Sequence, residues 1–115
     1  MRWLIVAILV GGCAKKEAAE TAAPAPAMSA SEIQRSRDAC KDYVDRACAC
    51  ATTVPAVKSQ CDLARALPDA VRIGLEVAVS PDSKRNDVLA AQGSVRKTVK
   101  ECIEETAKLP TLGCR

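Results

Sequence analysis

The sequence lacks histidine and phenylalanine, and Trp3 and Tyr43 are its only aromatic residues. Without histidine the chain has no Ser/His/Asp catalytic set, and it lacks the commonest general base and metal ligand of proteins. With so few rings it offers no platform on which nucleic-acid bases could stack. Its 17 basic and 14 acidic residues are mixed along the chain, with a net charge of +3. We therefore expect no cofactor, no nucleic-acid partner and no enzymatic activity.

The chain is also short, at 115 residues, which allows one small domain. Its core must be built from Ala, Val, Leu and Ile, whose small side chains bury little apolar area each. At about 25 cal/mol per Å² of buried area, the free energy gained by burying such a core barely exceeds the free-energy cost of the chain entropy lost on folding. A second source of stability is needed.

Cysteine is abundant by comparison, with seven residues in the chain. Cys13 stands apart near the N-terminus, and six remain for the domain: Cys40, Cys48, Cys50, Cys61, Cys102 and Cys114. Six is the number expected for three disulfides in a small exported domain. Each bridge contributes roughly 2–4 kcal/mol, chiefly by restricting the unfolded chain.

The N-terminal sequence suggests a role for Cys13, the cysteine that remains after six are assigned to disulfides. A basic start, Met1-Arg2, precedes an apolar run over 3–10 that is too short to span a membrane but fits a signal peptide. The run ends in Val10-Gly11-Gly12-Cys13, which resembles the signal of bacterial lipoproteins. That resemblance implies cleavage before Cys13, a diacylglyceryl group on its thiol and an acylated new amine. The alternative is an ordinary signal peptide that happens to precede a cysteine.

The resemblance also implies an address in the bacterial cell envelope, with the membrane as a partner through the lipid anchor. Ala14 follows the cysteine where an aspartate would favour the inner membrane, so the outer membrane is favoured. Residues 13–28 are rich in alanine and proline and show no apolar periodicity, which predicts an extended, disordered tether. We expect the signal over 1–12, the tether over 13–28 and the domain over 29–115.

Helical signals dominate the domain. Ser29 and Glu32 have the spacing of a capping box, and Pro55, Pro68 and the Ser80-Pro81-Asp82 segment are typical of helix starts. Gly93 either weakens the last helix or lets a neighbour approach it. The buried side of that helix is predicted to include Val95, Cys102 and Ile103. We expect an all-α bundle of three to four helices, over 29–51, 54–67, 68–79 and 80–109, packed up-down-up.

This arrangement suggests a disulfide pairing. Cys50 and Cys61 flank the first turn, and Cys40 and Cys102 lie at similar depth on parallel helices. We expect Cys50–Cys61, Cys40–Cys102 and Cys48–Cys114, although Cys48 and Cys50 could exchange partners without changing the fold.

Cys48 and Cys50 also allow a different interpretation, because thiolates bind Zn²⁺ or Cu(I) and can act as a redox dithiol. Only one residue separates them, there is no CxxC motif, and no metal site is predicted.

The remaining charged clusters are typical of solvated helix faces: Glu101, Glu104, Glu105, Lys84-Arg85 and Arg96-Lys97. Tyr43 is expected in the core or at its boundary rather than as a binding anchor. The sequence predicts a membrane-anchored, non-enzymatic lipoprotein with a binding or structural role and an unidentified envelope protein as possible partner; a periplasmic thiol-redox or soft-metal protein is the alternative.

Overall fold

A computed structural model describes residues 25–115 of the chain. This part is all-α, as the sequence predicts, with three long helices and one short one. A segment over 25–28, here called the strap, leads into the first helix. The helices are α1 (Ala30–Ala51), α2 (Lys58–Ala64), α3 (Leu67–Val79) and α4 (Arg85–Lys108), with short 3₁₀ turns at Pro55–Val57 and Leu109–Leu112.

Helix α1 begins where the capping signal predicts. The Ser29 hydroxyl accepts a hydrogen bond from the Glu32 backbone N–H at 3.1 Å, which satisfies one of the unpaired donors of the first turn. The other half of the predicted capping box does not form, because the Glu32 carboxylate turns to Arg96 on α4, at 2.7 Å. A contact between helices has replaced a local one.

The second predicted helix is shorter than expected and ends at Ala64 rather than Leu67. After two intervening residues α3 begins at Leu67, with Pro68 in its first turn, where a missing backbone N–H costs no hydrogen bond. The predicted bounds of α3 are confirmed to within one residue.

The predicted start of the last helix, at residue 80, is wrong by five residues. Ser80 instead closes a turn, since its carbonyl accepts from the Ser83 N–H at 3.2 Å and its hydroxyl from the Asp82 N–H at 3.3 Å. Serine, proline and aspartate favour such turns as strongly as helix starts. Here the chain must reverse direction between α3 and α4, so the helix begins only at Arg85.

Helices α1 and α4 lie parallel and in register. Contacts join Glu32 to Arg96, Cys40 to Cys102 and, at the end of α1, Cys50 to Cys114, which lies beyond α4. The sequence separations of these pairs stay between 62 and 64. The up-down-up order is confirmed, because α2 and α3 return the chain between the two parallel helices.

The bundle therefore has two distinct ends. The strap end carries the strap, the start of α1 and the turn between α3 and α4. The disulfide end carries the last turn of α1, helix α2 and the C-terminal tail, and two of the three disulfides cross-link it.

The core between the helices is small, as the composition predicts. Its fully buried side chains are mostly valine, alanine and cysteine, with Tyr43 as its one aromatic ring within the described residues. Ile103 does not join it: the prediction that this residue is buried is wrong, because the side chain is 58% exposed.

Close approach of α3 and α4 depends on Gly74 rather than on Gly93. A Cβ atom added at Gly74 would lie 2.6 Å from Cγ2 of Val95, a side chain that is 1% exposed, whereas one added at Gly93 would meet nothing within 4 Å. Of the two roles considered for Gly93, the structure supports only the weakening of the helix.

The two glycines give a matched pair of variants. Gly74→Ala is expected to destabilise the domain by about 1–3 kcal/mol, because the new methyl group forces Val95 or a whole helix to move. Gly93→Ala is expected to stabilise it by about 0.5–1 kcal/mol, because alanine is the better helix former and has open space. Urea unfolding of both variants measures the difference, and equal effects of the two substitutions would contradict the close packing of α3 on α4.

Candidate functional site

All six cysteines of the described residues form disulfides, and these are the most distinctive chemical feature of the domain. The Cα atoms of the bonded pairs are 4.7 to 5.5 Å apart. The pairs are Cys40–Cys102, Cys48–Cys61 and Cys50–Cys114.

The predicted Cys40–Cys102 bridge is confirmed. The expected Cys50–Cys61 and Cys48–Cys114 bridges are wrong, and the structure has the alternative left open by the sequence, in which Cys48 and Cys50 exchange partners. The reason lies in helix geometry. At 100° per residue, Cys48 lies about 80° to one side of Cys40 around α1, and Cys50 lies about 80° to the other side. Cys48 therefore faces α2, and Cys50 faces the C-terminal tail. Sequence reasoning placed both cysteines at the correct end of the bundle but did not determine on which side each neighbour packs.

Cys48 and Cys50 consequently do not form a vicinal dithiol. Each is half-buried and bonded to a different part of the chain. Among residues 25–115 there is no group of three or more His, Cys, Asp or Glu side chains that could hold a metal ion.

A cleft of about 760 Å³ lies against the Cys50–Cys114 disulfide, at the disulfide end. Its walls combine apolar side chains of Val54 and Leu109 with the charged groups of Asp45, Arg46 and Arg115. Both sulfurs are already bonded, and Arg46 is paired with Asp42 at 3.0 Å. The cleft is therefore suited to non-covalent contact with a ligand that has both apolar and charged groups.

The strap packs on the bundle at the opposite end. Nε2 of Gln92 donates a hydrogen bond of 2.6 Å to the carbonyl of Pro26, and Met28 is 9% exposed within the core. The predicted tether is described only from residue 25 onward, and these last four residues are docked on the domain. Sequence reasoning missed this contact. Its signal was a glutamine in the otherwise apolar row of Val88, Val95 and Val99.

Glu32 and Arg96 join α1 to α4 beside the strap. The hydrogen bond from Arg96 holds the pKa of the Glu32 carboxyl below its ordinary value, and the same bond raises the pKa of the guanidinium. Arg96 of the predicted Arg96-Lys97 cluster is thus engaged in an ion pair between helices.

The glutamate cluster and Lys84 remain on the surface, as predicted, but Arg85 is half-buried and its Nε atom is buried without a hydrogen-bond partner within residues 25–115. Glu104 pairs with Lys100 at 3.8 Å, Glu105 pairs with Lys108 at 2.7 Å, and Glu101 is exposed.

Tyr43 is confirmed as a core residue, at 4% exposure. Burial raises the pKa of its hydroxyl, and the nearby carboxylates of Glu105 and Glu101 raise it further.

The predicted lipidation site, Cys13, lies outside the described residues. Within residues 25–115, no helix combines the length and the apolarity needed to cross a membrane.

The revised disulfide pairing can be tested with single substitutions. In Cys50→Ser, we expect Cys114 to carry the only new free thiol of the domain, because its partner is gone. Alkylation of the denatured protein followed by peptide mass spectrometry identifies that thiol. The reciprocal variant Cys48→Ser should instead expose Cys61. Labelling of Cys61 in the first variant and Cys114 in the second would restore the pairing expected from sequence.

The ion pair between helices predicts a pH-dependent contribution to stability. The folded-state pKa of Glu32 is lowered, so its contribution is present above the unfolded value of about 4.3 and is lost as pH falls through the folded pKa. Glu32→Gln should therefore lower the free energy of unfolding at pH 7, and this loss should shrink as the pH falls below about 4.3. Glu104→Gln is the control, because its partner Lys100 lies on the same helix. A loss in Glu32→Gln that does not shrink as the pH is lowered from 7 into the acid range would contradict this assignment.

Comparison of the chain with protein-family models, with curated proteins and with solved structures finds no match.

Proposed function

We propose that this chain is a lipoprotein of the bacterial cell envelope, anchored to a membrane through Cys13, with a non-enzymatic binding or structural role. The observation that carries the proposal is the sequence Val10-Gly11-Gly12-Cys13 at the end of a short apolar run. Its resemblance to the lipoprotein signal assigns Cys13 to acylation and residues 1–12 to the cleaved signal.

The disulfides support this proposal through the number of cysteines. Six of the seven cysteines pair with one another inside the domain, so Cys13 has no cysteine partner left in the same chain. A thiol reserved for a lipid accounts for the odd number. Three disulfides are also typical of a chain exported to an oxidising compartment.

A binding or structural role fits the chemistry that the side chains offer. The chain has no histidine, and the sulfurs of the domain are in disulfides. The alternative role in thiol-redox or soft-metal chemistry would require reduction of both Cys48–Cys61 and Cys50–Cys114. The cleft beside Cys50–Cys114 is the feature best suited to contact an envelope partner without covalent chemistry.

The anchor assignment is tested by Cys13→Ser in a Gram-negative host. We expect the precursor to stay uncut at residue 12, because cleavage in lipoproteins follows lipidation of the cysteine. Intact mass should lack the acyl groups that the wild-type chain carries, and the protein should lose its extraction with membranes. A variant that is cut normally and still fractionates with membranes would show that Cys13 is not the anchor.

Ala14→Asp is the matched control, because it changes the neighbouring residue and leaves the thiol. We expect this variant to be cut and lipidated as the wild type is. In the sorting rule of the family, the aspartate should move it from the outer to the inner membrane on a sucrose gradient. An unchanged outer-membrane location would contradict the sorting role assigned to Ala14, but it would not contradict the lipid anchor at Cys13.

A further inference from the structure

We propose that the strap end of the bundle rests on the bilayer to which the chain is anchored, through a surface formed by Pro26, Ala27, Val79, Pro81 and Leu89. This inference rests on the proposed anchoring at Cys13 and adds which face of the domain meets lipid. The partner is the lipid surface itself.

The docked strap determines where the chain leaves the bundle. The hydrogen bond from Gln92 to the Pro26 carbonyl and the burial of Met28 hold the strap against α4. The chain toward Cys13 therefore departs beside the start of α1 and the turn between α3 and α4. A lipid anchor at Cys13 is therefore connected to the bundle at this end.

The length of the chain between Cys13 and the strap determines which end of the bundle can readily reach the bilayer. Residues 14–24 separate the anchor from the strap, and eleven residues reach at most about 36–40 Å when fully extended. Helix α1 has 22 residues and separates the two ends of the bundle by about 33 Å. To bring the disulfide end to the bilayer, residues 14–24 would have to run nearly fully extended along the whole bundle. The strap end meets no such restriction.

The surface at this end is apolar. Val79 is 58% exposed and Leu89 is 36% exposed, and Pro26, Ala27 and Pro81 are also exposed. Val79 and Pro81 border the same surface depression as the strap. Leu89 lies on α4 four residues after Arg85 and three before Gln92, so helical spacing places it on the side of α4 that carries these two residues. Side chains of this kind gain free energy when they leave water for the interfacial region of a bilayer.

The charges around this surface are balanced. Lys84 and Arg85 lie beside it, as do Asp82 and Asp87, so their formal charges cancel. Within residues 25–115, none of these four side chains forms a salt bridge. The contact should therefore depend on apolar side chains and change little with salt, unlike the binding of a basic cluster to anionic headgroups.

The test uses the chain from Cys13 to Arg115, which contains every disulfide and core residue described. Its Cys13 thiol is coupled to a maleimide phospholipid in nanodiscs of phosphatidylcholine and phosphatidylglycerol that also carry a gadolinium-chelating lipid. We expect the backbone amide signals of residues 79–85 to lose more intensity than those of residues 111–115. The difference should remain at high salt.

Matched variants separate apolar contact from mere proximity. Val79→Ser with Leu89→Ser should reduce the signal loss at residues 80–85. Leu63→Ser with Leu112→Ser removes two side chains of the disulfide end that are 74% and 42% exposed, and it should leave the pattern unchanged. All four positions are exposed, so neither variant disturbs the core.

Equal loss at both ends, greater loss at the disulfide end, or no effect of Val79→Ser with Leu89→Ser would overturn the proposed surface. A difference between the ends that disappears at high salt would show a charge-driven contact and would overturn the apolar one. Because the anchor in this experiment is attached chemically, its outcome does not depend on lipidation in the cell. Failure of the anchor assignment is detected separately, by fractionation of Cys13→Ser.

Discussion

The disulfide between Cys40 and Cys102 holds the two longest helices side by side, and the rest of the domain depends on that alignment. Both cysteines are completely buried near the middle of the bundle. Two parallel helices that are far apart in sequence must be brought together at the cost of closing a long loop. Cross-linking residues 62 positions apart removes about 4 kcal/mol of that entropy from the unfolded chain. A core of small side chains could not offset the same cost alone.

Small side chains also determine how closely the helices pack. With little volume to fill the space between α3 and α4, the bundle brings backbone near side chain, and Gly74 allows Val95 to approach. The docking of the strap reflects the same shortage of large side chains in the core. Met28 adds a large side chain to a core that has few, and the Pro26 carbonyl accepts a hydrogen bond from the Gln92 side chain, which is 3% exposed and has no other partner among the described residues.

Two of the three disulfides and the proposed bilayer-facing surface lie at opposite ends of the bundle. Two disulfides and the cleft lie at one end, while the strap lies at the other. In the proposed orientation, the bilayer holds the strap end and the cleft points away from it. An envelope partner would then meet a rigid end, in which the C-terminal tail is tied to α1 by Cys50–Cys114.

The sequence by itself determined the fold class, the order of helices, the start of α1 and the number of disulfides, because caps, prolines and apolar periodicity act over a few residues. It also indicated the Cys40–Cys102 pair, whose positions follow from helix length. Tertiary structure decided the partners of Cys48 and Cys50, the start of α4, the exposure of Ile103 and the role of Gly74. Each of these depends on which side of a helix its neighbour packs, and local patterns carry no information about that. The strap was missed for the same reason: only the folded bundle brings Gln92 to Pro26, a residue 66 positions earlier in the chain.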